Sequence, residues 1–140
     1  MACSVEPSMK RINTMEKQIE KIEKKKNIAD KSFDKLVVEF SELDETLRND
    51  NTPKPEIQLI RAYLQQYEDE RDNIKEGIRY SKSQISDLKD DLKKGLYDES
   101  QREEYLSAEE KEVKTLNAQL DYFIDRFEKQ RNVIKEIEKQ

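Results

Sequence analysis

Apolar residues recur along this chain at alternating steps of three and four. The first run is Ile12, Met15, Ile19, Ile22, Ala29, Phe33, Leu36, Phe40, Leu43 and Leu47, with Lys26 holding one place in the series. The second is Ile57, Ile60, Leu64, Tyr67, Ile74, Ile78, Ile85, Leu88 and Leu92, with Arg71 and Ser81 in line. The third is Leu106, Val113, Leu116, Leu120, Phe123, Phe127, Ile134 and Ile137, with Glu109 and Gln130 in line. A step of 3.5 residues held over four or more heptads belongs to helices that wind around one another with a left-handed twist. The spacing predicts three long helices, at about 8–50, 56–94 and 99–140. Residues 1–7 are expected to be a disordered tail, and 8–140 a single helical domain.

The breaks between the runs carry turn chemistry. Asn49-Asp50-Asn51-Thr52-Pro53-Lys54-Pro55 combines asparagines, which tolerate a left-handed backbone, with two prolines and a capping threonine. Lys94-Gly95-Leu96-Tyr97-Asp98 offers Gly95 for the residue after a helix and Leu96 for the apolar contact that often follows. Asp98 or Ser100 can cap the third helix, and Ser107-Ala108-Glu109-Glu110 either starts a helix or lies inside one. Connections this short make successive helices antiparallel neighbours. The expected fold is therefore all-α, an up-down-up three-helix bundle or coiled coil.

Charge agrees with that order. Residues 8–31 carry eight basic and four acidic side chains, whereas 98–115 carry seven acidic and three basic. An up-down-up bundle sets these two stretches side by side. Val37, Tyr63, Leu96, Tyr105, Ile124 and Val133 flank the seams and widen the apolar stripe, as a three-helix core requires. Lys26, Arg71, Ser81, Glu109 and Gln130 interrupt it. A polar seam residue costs stability but selects one alignment, so register control is the reading favoured for all five over a recognition site.

Composition narrows the chemistry. Charged residues make up 42% of the 140 positions and hydrophobic ones 34%, with two glycines, three prolines, one cysteine and no histidine. A chain without histidine has no triad of the Ser-His-Asp type, and one cysteine allows neither an intrachain disulfide nor a paired-cysteine zinc site. Gly77 and Gly95 are too far apart to cradle a phosphate. Adjacent carboxylates such as Asp90-Asp91 and Glu109-Glu110 are read as solvated charges, because acid–base work needs a buried pocket. No cofactor, metal or small-molecule substrate is expected. No apolar run approaches a membrane span, and the first residues lack the apolar core of a signal peptide. The formal net charge of −5 argues against general nucleic-acid binding. These features together suggest a cytoplasmic protein.

Two sets of residues are left as candidate contacts. Ile28, Val38, Leu59, Tyr80 and Tyr122 fall at positions pointing away from the seams and would take a helical partner if they formed a patch. Lys17, Lys21, Lys24, Lys25 and Lys31 form a basic stripe. It would hold an acidic polymer or surface, such as a microtubule, an anionic membrane or RNA. The simpler reading of the stripe is a solvated face neutralised by Glu20, Glu23 and the acidic third helix. The pattern identifies no family, since bare heptads are shared by spectrin-like repeats and many cytoskeletal coiled coils. The expected function is that of a non-enzymatic scaffold, spacer or adaptor for another helical protein or a second copy. Electrostatic binding through the lysine stripe is the alternative.

Overall fold

The computed structural model describes residues 2–140, and the side chains of residues 6–140. Three helices, α1 (Ala2–Asn49), α2 (Glu56–Lys93) and α3 (Glu99–Glu138), pack pairwise against one another, with no strand among the described residues. Arg11 of α1 reaches Glu103 and Glu110 near the start of α3, and Arg131 near the end of α3 reaches Ser32 and Glu39. The two helices are therefore parallel. Asp44 of α1 pairs with Arg61 of α2, while Glu16 pairs with Lys89, so α2 runs back between them. This is the up-down-up order expected from the short connections.

The apolar spacing starts the first helix at residue 8, but α1 begins at Ala2 and contains Pro7. Proline's fixed φ suits a helix near its start, and the ring forfeits one backbone bond there. Met1, the remainder of the expected tail, lies outside the described residues.

Both connections use one device. Asn51 and Gly95 have positive φ, 54° and 68°. After α1, Thr52 N–H donates to the Leu47 carbonyl at 2.9 Å and Asn51 N–H to Arg48 at 3.2 Å. After α2, Leu96 N–H donates to Asp91 at 3.2 Å and Gly95 N–H to Leu92 at 3.1 Å. Each pair closes the last helical turn and satisfies carbonyls that would otherwise be left over. Two expectations fail here. Thr52 caps nothing, because α2 starts after Pro55 without a side-chain cap. Leu96 makes no buried contact and is 59% exposed; Tyr97 packs against the core instead, and its hydroxyl donates to Asp91 at 2.7 Å. Asp98 caps α3 in a reciprocal box with Gln101, and the Ser107 sequence lies inside that helix.

The seams close as the 3.5-residue step requires. From Ile12 to Leu43, Ile57 to Leu92 and Leu106 to Ile137, the apolar seam residues are buried in one continuous core. Among the flanking residues Val37, Ile124 and Val133 pack against this core, whereas Tyr105 stays largely outside it. Cysteines placed at Leu43 and Ile60, with Cys3→Ser, should form a disulfide within one chain at a yield unaffected by dilution. Non-reducing gels across a protein dilution series measure this, and a yield that falls with dilution would contradict the reversal.

Candidate interaction surfaces

The bundle has a polar centre. Tyr67 of α2 is fully buried, its ring packed on Phe33 of α1 at 5.0 Å and on Phe123 and Phe127 of α3 at 4.9 Å each. Its hydroxyl donates to Asp30 Oδ1 at 2.6 Å. Lys26, itself buried, donates through Nζ to both oxygens of Asp30 at 2.8 and 2.7 Å. Arg71 lies 3.4 Å from the same carboxylate, with its guanidinium over the Phe33 ring at 5.2 Å. Asp30 thus gathers two seam cations and a buried phenol. Burial, and then the hydrogen bond to Asp30, push the Tyr67 hydroxyl far above its ordinary pKa, so it remains a donor.

Beside this cluster a groove of about 380 Å³ opens between α1 and α2, lined by Glu23, Lys26, Asn27, Asp30, Lys75, Ile78, Arg79 and Lys82. Its carboxylates are committed: Glu23 pairs with Lys82 at 3.0 Å and Asp30 is held as above. Among its cations Lys82 is paired with Glu23 and Lys26 with Asp30, while Lys75 forms no ion pair among the described residues. No group of three or more potential metal ligands occurs among the described residues.

The other seam interruptions behave differently. Ser81 and Gln130 are buried, and Ser81 Oγ and Gln130 Oε1 lack a hydrogen-bond partner among the described residues. Glu109 Oε2 is likewise unpartnered. Burial and the nearby charge of Glu112 raise the Glu109 pKa, because both disfavour its ionised form. Glu103 shows the opposite effect: hydrogen bonds from Arg11, then Ser107, hold its carboxyl below the ordinary value. The Arg11 clasp between α1 and α3 therefore stabilises at neutral pH and weakens as acid protonates Glu103.

The outward apolar residues do not form one patch. Leu59 and Tyr80 are both exposed on α2, but 21 positions along one helix separate them by about 32 Å. Ile28 and Val38 are exposed on α1. Tyr122 is not free: its hydroxyl lies 3.2 Å from Gln66 Oε1 of α2, and Arg126 lies 5.3 Å from both its ring and that of Tyr63. That cation between two rings ties α2 to α3, and only the g-position spacing of Tyr63 and Arg126 hints at it in the sequence.

The lysine stripe divides. Lys25 turns inward and bonds Asn117 and Asp121 of α3, each at 2.7 Å. Lys17, Lys21, Lys24 and Lys31 are exposed and form no ion pair among the described residues, and Lys10 and Lys35 join them. Neutralisation by α3 thus reaches Arg11 and Lys25 but not the outer lysines. No helix among the described residues is long and apolar enough to cross a membrane. No protein-family model, curated protein or solved structure matches the chain.

Two stability predictions follow from the polar centre and from Glu109. In urea titrations Asp30→Ala should cost about 3 kcal/mol, since it strands the Lys26 charge and the Tyr67 hydroxyl. Tyr67→Phe, which keeps the ring, should cost about 1 kcal/mol. Equal losses would mean that Asp30 does not organise the cluster. Glu109→Leu should instead raise the melting temperature, by about 1 kcal/mol of stability. The gain should be larger at neutral pH than below the carboxylate range, where Glu109 is already uncharged.

Proposed function

We propose that this chain is a non-enzymatic helical spacer, a stiff module that fixes the separation of whatever it joins. Its partner is another helical protein or a second copy. What supports the reading is the continuous apolar core that all three helices share from Ile12 to Ile137, with α1 and α2 joined at its centre through Asp30. Such a core resists both bending and sliding. Ser81 and Gln130 are buried in the core, and Lys26 is held by Asp30 at the edge of the groove, which favours a mechanical role over catalysis.

Spin labels at Thr52 and at the exposed Leu96, in the two opposite connections, test stiffness directly. The 38 residues of α2 set the span at about 57 Å. A single narrow distance distribution near that value, unchanged by salt, is expected from dipolar spectroscopy. A broad or salt-dependent distribution would remove the basis for a spacer.

A second reading, attachment to an acidic partner through the outer face of α1, is favoured by one observation. The exposed lysines of that face have no carboxylate paired with them among the described residues.

A further inference from the structure

We infer that the outer ridge of α1 is a docking surface for an anionic lipid bilayer, with Lys10, Lys17, Lys24 and Lys31 as its contact line. The inference rests on the electrostatic reading above and commits it to one partner. The four lysines recur every seven residues. That step is about 10.5 Å of helix, and it keeps them on one line facing away from both neighbouring helices. Lys21 and Lys35 lie on the flank of the same line, so the six lysines span about 38 Å. All six are exposed and unpaired among the described residues. Glu6, Glu20 and Asp34 are the carboxylates beside the line, and Asp34 lies 3.9 Å from Arg71 of α2.

Shape and chemistry choose the bilayer among acidic partners. A convex ridge touches a plane along its whole length, whereas a nucleic-acid strand needs a groove and stacking rings. No aromatic residue stands on this line. The charges are lysines, which act as point charges toward many headgroups rather than as forks for one phosphate. Ile28 is 61% exposed between Lys24 and Lys31, and Val38, also exposed, continues the line one step beyond Lys31. An apolar side chain among lysines can enter the headgroup layer while the charges hold the surface. The outward line of α2 carries Asp69, Glu76 and Asp90, all exposed. A negative bilayer repels that face, which sets the α1 ridge apart from α2.

Sedimentation with vesicles of equal parts phosphatidylserine and phosphatidylcholine tests this on the full chain. Binding is expected there and not with pure phosphatidylcholine. It should vanish on raising salt from about 0.1 M to about 1 M, which shortens the Debye length from about 10 Å to about 3 Å. Each lysine at the surface multiplies partitioning by roughly five, so Lys10→Gln, Lys17→Gln, Lys24→Gln and Lys31→Gln together should weaken binding more than about a hundredfold. Circular dichroism should show the variant as helical as the parent, since these side chains are exposed and form no ion pair among the described residues. A control with Lys93, Lys94, Lys111 and Lys114 changed to Gln carries the same charge loss elsewhere and should bind as before. Equal loss in both variants, or binding to pure phosphatidylcholine, overturns the ridge as the docking surface. No vesicle binding, together with ridge-dependent binding of polyglutamate or RNA, overturns the bilayer but keeps the electrostatic reading. Binding to none of the three overturns both.

Discussion

The Tyr67 hydroxyl is buried where three helices meet, and it must find an acceptor. Asp30 supplies one at 2.6 Å, and this requirement favours one axial alignment of α2 against α1. Apolar seams alone tolerate a seven-residue slip, because a heptad looks alike at every repeat. A slip of α2 against α1 would leave a phenol in an apolar layer and Asp30 facing a different residue. The same carboxylate neutralises Lys26, which would otherwise bring an unpaired charge into the seam. Three costly groups are thus made compatible by one alignment. The aromatic rings around Tyr67 contribute packing at the same level, with Phe33, Phe123 and Phe127 drawn from both other helices.

Charge follows from that alignment. Glu16, Glu23 and Asp44 of α1 meet Lys89, Lys82 and Arg61 of α2 in turn, at multiples of the heptad step. Asp30 belongs to the same series, yet it is drawn inward to Tyr67, Lys26 and Arg71. Lys75 of α2 is left lining the groove rather than paired. Exposed pairs of this kind contribute little singly, but a repeated series penalises every alternative register together. On the other side, Arg11 and Lys25 join α1 to α3, Arg11 through Glu103 and Glu110 of its acidic start and Lys25 through Asp121 further along.

Much of this was legible in the sequence because a 3.5-residue step writes burial directly into residue order. Asn51 and Gly95 were readable as helix ends because few other residues accept positive φ. The start of α1 was not, since a proline reads equally as a boundary or as a second-turn residue. Leu96 was assigned the apolar contact that Tyr97 makes, because proximity to Gly95 does not say which neighbour turns inward. Asp30 could not be picked out, as it occupies an ordinary flanking position and gains its role from residues 37 and 41 places away. The division of the lysine stripe was hidden for a related reason. Lys24 and Lys25 are adjacent in sequence, but one step around the helix separates solvent from Asp121.

An odd number of helices has a mechanical meaning. The first residues of α1 and the last of α3 lie at opposite ends of the bundle, so tension along the chain runs lengthwise through it. Helices pulled this way slide rather than peel, and sliding must displace every side chain of the seam at once. The clasp of Arg131 on Ser32 and Glu39 and that of Arg11 on Glu103 and Glu110 would then be strained together. Loaded between its ends, the bundle should behave as a stiff, cooperative link that yields in one step.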